Sequence, residues 1–116
     1  MTWEVVFFRD HRGHTPALEF LERIPENPRA KTFKWLELLE EEGPNLPRPY
    51  ADVLDGKIRE LRVSQGHLEV RLLYFFVREK IIVSHGFLKK THTVPRKEID
   101  RAIRNMGEYF NREEIK

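Results

Sequence analysis

Apolar and polar residues alternate with a period of two over much of residues 57–92, KIRELRVSQGHLEVRLLYFFVREKIIVSHGFLKKTH, and the alternation breaks at Ser64-Gln65-Gly66 and at Arg78-Glu79. The pattern predicts three strands, Lys57 to Val63, His67 to Val77 and Lys80 to Leu88, joined by tight turns and therefore antiparallel. In the first of them Leu61 and Val63 share one face, while Glu60 and Arg62 share the other. In the second, Leu68, Val70, Leu72, Tyr74 and Phe76 face one way and Glu69, Arg71, Leu73 and Phe75 the other. That second face is polar at one end and apolar at the other, the pattern of a half-open groove. Tyr74 and Phe76 lie on the core face, which leaves chiefly Phe75 for any base-stacking role, and core packing is the better account of these rings.

Upstream, the β-branched and aromatic run Trp3 to Phe8 predicts another strand. Thr15-Pro16 then has the form of an N-cap followed by proline at N1, opening a short helix with Ala17, Leu21 and Ile24 on one face. Pro25 ends it. Asn27-Pro28 repeats the start signal for a helix to about Glu42, with Phe33, Leu36, Leu39 and Trp35 in its apolar stripe and Gly43-Pro44 as its stop. The two helices form a hairpin on the sheet. Residues 44–56, PNLPRPYADVLDG, read as a proline-rich connecting loop. After residue 92, Thr93 and Pro95 signal a last helix carrying Ile99, Ala102, Ile103, Met106 and Phe110, with Asn111 to Lys116 as a frayed tail. The order β-α-α-β-β-β-α makes residues 1–116 a single α+β domain, a small curved antiparallel sheet, with room for a mixed edge, and helices packed against it.

Composition narrows the chemistry. With 116 residues, 40% hydrophobic and 34% charged, the chain has enough apolar material for one core. It has no cysteine, which removes disulfides and thiolate chemistry and suits a reducing cytoplasm. No stretch has the form of a signal peptide or a membrane span, so the expectation is a soluble cytoplasmic protein with no membrane partner. The net charge of +2 is unevenly placed. Residues 1–56 hold seven Lys/Arg against eleven Asp/Glu, whereas residues 57–97 hold ten against three. A basic excess confined to the sheet points to a polyanion partner, against the alternative of a merely solvated basic face. The histidines at 11, 14, 67, 85 and 92 have no paired metal spacing, and phosphate-binding and nucleophile-elbow motifs are absent, so neither metal nor cofactor is expected.

The segments KIRELRV, RLLYFFV and HGFLKKTH-x-VP-x-x-EI-x-x-A, in that order and spacing, resemble the RelE/ParE superfamily of bacterial and phage toxins, most closely its HigB-like, phage-protein-like branch. The resemblance is strong over roughly residues 54–106. It implies a toxin neutralised by a co-expressed antitoxin, often one with a helix-turn-helix domain. HigB- and RelE-like members are metal-independent endoribonucleases that cut mRNA in the ribosomal A site, whereas ParE-like members share the fold and act on DNA gyrase. A non-catalytic RNA-binding module is a third reading.

Such RNA cleavage needs a base for the 2′-hydroxyl, positive charge on the developing phosphorane and an acid for the leaving oxygen. Arg62 and Arg71 match the family's sheet arginines, and the planar fork of arginine suits phosphate oxygens. The alternative for both is an ion-pair lattice with Glu60 and Glu69. Lys89 and Lys90 stand at the family's Lys-Lys-Thr, with a plain solvated turn as the alternative for either one, and His92 is the candidate general acid or base. Arg71, Lys89, Lys90 and His92 are thus the catalytic candidates, with Lys57, Arg59 and Arg62 as RNA contacts. The family's tyrosine near the start of the last helix is missing from VPRKEID. His85 reads as a neutral ring packed inside its strand and bonded to backbone, on a face left open. Arg71→Ala is expected to abolish cleavage with little change in melting temperature.

Overall fold

The computed structural model describes residues 2–115, with side chains to residue 113. Thr15 and Pro16 open helix α1 (Pro16–Arg23), which buries Ala17, Phe20 and Leu21. Helix α2 (Glu26–Glu42) starts ahead of the predicted Asn27-Pro28 signal. Pro28 falls in its first turn, where no backbone donor is needed, and is itself buried. The buried stripe of α2 is Pro28, Thr32, Leu36 and Leu39, and Thr32 satisfies its hydroxyl on the Pro28 carbonyl at 2.7 Å. Phe33, expected in that stripe, is 39% exposed because it lies one position off this spacing. Gly43 ends the helix at φ 55°, where an added Cβ would collide with the Trp3 indole nitrogen.

Strands β1 (Glu4–Phe7), β2 (Ala51–Asp55), β3 (Ile58–Gln65), β4 (Leu68–Val77) and β5 (Lys80–Leu88) form one sheet in the order β1-β5-β4-β3-β2. The α+β architecture is as expected, with β2 to β5 an antiparallel meander and β1 pairing in parallel with β5 at a mixed edge. The proline-rich connection contributes the additional edge strand β2. Its ADVLD sequence alternates too weakly to declare a strand, and the ladder to β3 holds it. On the opposite edge Glu40 of α2 occupies β1, its carboxylate accepting the Val5 amide at 2.8 Å and its carbonyl accepting the Trp3 amide at 2.9 Å.

The α1–α2 hairpin covers one face of the sheet, packing on Leu61, Val63, Val70, Leu72, Tyr74, Ile81 and Val83. Here α1 comes so close to β5 that a Cβ on Gly86 would meet the Phe20 ring and the Leu72 methyl at 2.5 Å. Helix α3 (Arg96–Ile115) covers the apolar end of the other face, with Ala102, Met106, Tyr109 and Phe110 over Ile58, Leu73, Phe75 and Ile82. Phe75 is therefore fully buried, its ring centroid 5.9 Å from Tyr109 and 6.1 Å from Phe110, rather than free. Ile103 is 37% exposed, on the outer side of α3. The helix also runs through the expected tail as far as Ile115, while Lys116 lies outside the described residues.

Candidate functional site

The face under α3 ends in charge. Arg62 on β3 and Arg71 on β4 are direct cross-strand partners, so two guanidinium groups share one patch of sheet. Like charges so placed repel, and carboxylates gather around them. Glu60, two residues along β3 and 1% exposed, lies between them. Arg62 donates through Nε to Glu60 Oε1, and its Nη2 donates to Asp52 Oδ2 at 3.2 Å. Arg71 donates through Nη2 to Glu69 Oε1 at 3.3 Å and through Nη1 to the Val70 carbonyl at 3.1 Å. Its Nε stands 3.8 Å from Glu60 Oε2, and both of these buried atoms lack a hydrogen-bond partner. Arg48 closes the lattice on Asp52 at 3.0 Å, and that hydrogen bond holds the Asp52 carboxyl below the usual carboxylate range.

The ion-pair arrangement fixes the forks of both arginines, yet their access differs. Arg62 keeps 30% of its side-chain surface exposed, whereas Arg71 keeps 7%. Glu69, 40% exposed, is the open carboxylate beside them and accepts a hydrogen bond from the Ser64 hydroxyl at 2.9 Å. Because Arg71 is buried and Glu60 would keep Arg62 as its one cation, Arg71→Ala is expected to lower the melting temperature rather than leave it unchanged.

The other candidates are dispersed. The Lys89 amide extends the β5 ladder onto the Glu69 carbonyl at 2.8 Å, which puts Lys89 level with Glu69 and two residues beyond Phe87, the register partner of Arg71. Lys90 and His92 are exposed on the following turn, which Thr91 closes by donating to the Thr93 carbonyl at 2.6 Å. Lys89, Lys90 and His92 are not among the residues lining the cleft at Arg62 and Arg71. Lys57 is exposed at the β2–β3 turn. Arg59 falls on the opposite face, its guanidinium 5.2 Å above the Phe76 ring, so the structure does not bring it to Arg62.

His85 is 1% exposed, and its partners are side chains rather than backbone. Leu73 pairs with His85 but Tyr74 pairs with Val83, so Ser84 is an extra residue that bulges β5. Asn105 donates to Ser84 Oγ at 2.9 Å, Ser84 lies 2.8 Å from His85 Nδ1, and His85 Nε2 lies 3.1 Å from Glu98. The Glu98 carboxylate favours an imidazolium, but burial of the ring, reinforced by Arg101 and Arg104, outweighs it and lowers the pKa to about 3. The neutral ring accepts from Ser84 and donates to Glu98, which bolts α3 to the sheet.

Residue-type reasoning missed Lys31, Trp35 and Tyr50, which line the arginine cleft together with Pro49. The local signals are KTFKW and RPY, cations set beside aromatic rings, but Trp35 fits the helix stripe equally well and Tyr50 a connecting loop.

The family model described as phage derived protein Gp49-like (DUF891) matches residues 19–107. The chain belongs to this Gp49-like family. The match runs from within α1 to within α3 and so contains the arginine pair, the bulge at Ser84 and the turn at Lys89-Lys90. Gp49-like proteins belong to the RelE/ParE-like toxin superfamily; the family is one of toxin–antitoxin toxins, associated with RelE-like endoribonucleases, and the association implies an antitoxin partner. A search of curated proteins gives no match to the chain. Among the described residues no helix is long and apolar enough to cross a membrane, and no cluster of His, Asp and Glu could hold a metal ion.

Proposed function

We propose that this Gp49-like protein is a HigB-like toxin, a ribosome-dependent endoribonuclease that cuts mRNA in the A site in the cytoplasm and is neutralised by a co-expressed helix-turn-helix antitoxin. The observation that carries this reading is the Arg62–Arg71 pair, two fixed guanidinium groups beyond the helix-covered end of the sheet, in a chain of the RelE/ParE-like superfamily. On this reading the 2′-oxygen attacks the adjacent phosphorus, the 5′-oxygen leaves, and Arg62 and Arg71 carry the charge that builds on the equatorial oxygens. Lys89 supports that charge from the next rung of the sheet. Lys90 and His92 meet the RNA from the turn, where His92 moves a proton. Lys57 contacts the strand further along, and Arg59, on the other face, has no part.

A specific feature favours a second reading. Both arginines are already ion-paired, and His92 stands outside their cleft, an arrangement that serves docking without proton transfer. That would be ParE-like inhibition of DNA gyrase. Toeprinting on translating ribosomes separates the two. New ends within the A-site codon are the expected result, and inhibition of gyrase supercoiling with intact mRNA would overturn it. A protein that binds RNA but does neither is the non-catalytic module.

A further inference from the structure

Beyond Tyr50 the outer edge of β3 has no strand beside it. The last inter-strand link is the Arg62 amide to the Tyr50 carbonyl at 2.8 Å, and the β2 ladder reaches only to Leu61. Helix α2 fills the gap with side chains. Lys31 Nζ donates to the Ser64 carbonyl and also lies 5.3 Å from the centre of the Trp35 ring. Tyr50 meets Trp35 edge-on with ring centroids 5.8 Å apart, and Tyr50 is 38% exposed. Lys31 and Trp35 form the shared wall of two adjoining hollows. One, of about 390 Å³, is bounded by Asn27, Lys34 and Gln65. The other, of about 370 Å³, is bounded by Tyr50, Arg62 and Arg71. Both fall within the roughly 300–1,000 Å³ of small-molecule pockets, room for a base with its ribose.

We infer that this double hollow is a base-stacking platform for single-stranded RNA, placing unpaired bases against Tyr50 and Trp35 while the backbone runs past Lys34 and Lys31 to the arginine pair. The inference rests on the RNA reading of the arginine cleft and adds to it the element that grips the strand beside the scissile phosphate. Three features argue for RNA over an acidic peptide. Aromatic faces interleaved with cations are how proteins hold single strands without reading their sequence, whereas a carboxylate-rich peptide needs the cations alone. Lys34 is exposed at the outer hollow, where a phosphate could reach it. The inner hollow is continuous with Arg62 and Arg71, so one strand can occupy the platform and still present a phosphate to both guanidinium groups.

The chain has two tryptophans, so Trp3→Phe leaves Trp35 as the sole indole reporter. A 2′-O-methyl oligouridylate, which cannot be cleaved by 2′-oxygen attack, should quench Trp35 fluorescence saturably and less at high salt. In that background Tyr50→Ala should weaken binding about tenfold. Lys34→Glu, a change at an exposed position, should weaken it and flatten the dependence on salt by about one counterion. Circular dichroism checks each fold, and Lys34→Glu decides the case if Tyr50→Ala does not fold. Absence of quenching, unchanged affinity in both folded variants, or equal quenching by oligoglutamate would overturn the platform. RNA binding here without ribosomal cleavage would remove the nuclease reading and keep the platform. Cleavage by variants of unaltered RNA affinity would do the reverse.

Discussion

The two faces of the sheet are made by alternation along the same central strands, β3 and β4, yet they solve burial differently. Under the α1–α2 hairpin the buried side chains of β3 and β4 are apolar or aromatic, and the hairpin is packed tightly enough to require glycine at position 86. Under α3 the same strands begin apolar, at Ile58, Leu73 and Phe75, and end in Glu60, Arg62, Glu69 and Arg71. A pair of buried ions stabilises little compared with apolar groups of similar volume, because removing charge from water offsets most of the attraction. The comparison teaches that the hairpin face is built for stability. The α3 face gives up stability to hold two guanidinium groups in place, and such groups are what an anionic ligand would use.

Breaking the charged face should have the largest effect. Arg71→Ala leaves Glu60, 1% exposed, with Arg62 as its one remaining cation and empties a buried site, and is expected to lower unfolding stability by about 2–4 kcal/mol in chemical denaturation. Arg71→Lys keeps the charge but loses the fork, so it should cost much less stability and, on the proposed nuclease reading, slow cleavage about a hundredfold. Replacing Glu60 and Arg71 together by Leu should recover most of the stability lost in Arg71→Ala and none of the cleavage. Failure of the double variant to regain stability would mean that the lattice stabilises the fold as strongly as the apolar face does.

The hairpin face is sharpened by the opposite kind of change, an added methyl. Gly86→Ala would press a Cβ to 2.5 Å from Phe20 and Leu72, both buried, and is expected to destabilise by about 1–3 kcal/mol, read as a fall in denaturation midpoint. No loss would show that α1 can lift from β5, and the contrast in packing between the faces would weaken.

What could be read from the chain follows the strength of each periodicity. The alternation of residues 57–92 is long and clean, and it placed Arg62 and Arg71 on one face without coordinates. Strand β2 escaped because Asp52 and Asp55 dilute its alternation and only pairing with β3 makes it a strand. The bulge at Ser84 has no period of its own, so the face of His85 and its side-chain partners could not be derived from spacing. The catalytic candidates were near one another in sequence, but the turn after β5 carries Lys90 and His92 into solvent while the arginines stay in the sheet. Trp35 and Tyr50 meet across 15 residues through tertiary packing, which no local pattern encodes.

The smallest effect tests how α3 is fastened over its face. His85 is held neutral between Ser84 and Glu98, with Arg101 and Arg104 nearby and Asn105 completing the chain of hydrogen bonds. Its pKa in the folded protein, about 3, lies below the ordinary 6.5, so the unfolded chain takes up the proton first as pH falls. The stabilising contribution is thus whole above pH 6.5 and is lost progressively on acidification toward pH 3. Between pH 7 and pH 5.5 the loss should be about 1 kcal/mol. Denaturation of His85→Gln over the same interval isolates that share, since the exposed histidines and the carboxylates are common to both proteins. The wild type should fall more steeply than the variant. Equal slopes would mean that Glu98 keeps the imidazolium as stable inside as water does, and the clamp on α3 would then become an ion pair below the ordinary pKa of 6.5, a charged counterpart to the arginine lattice at the other end of the same face.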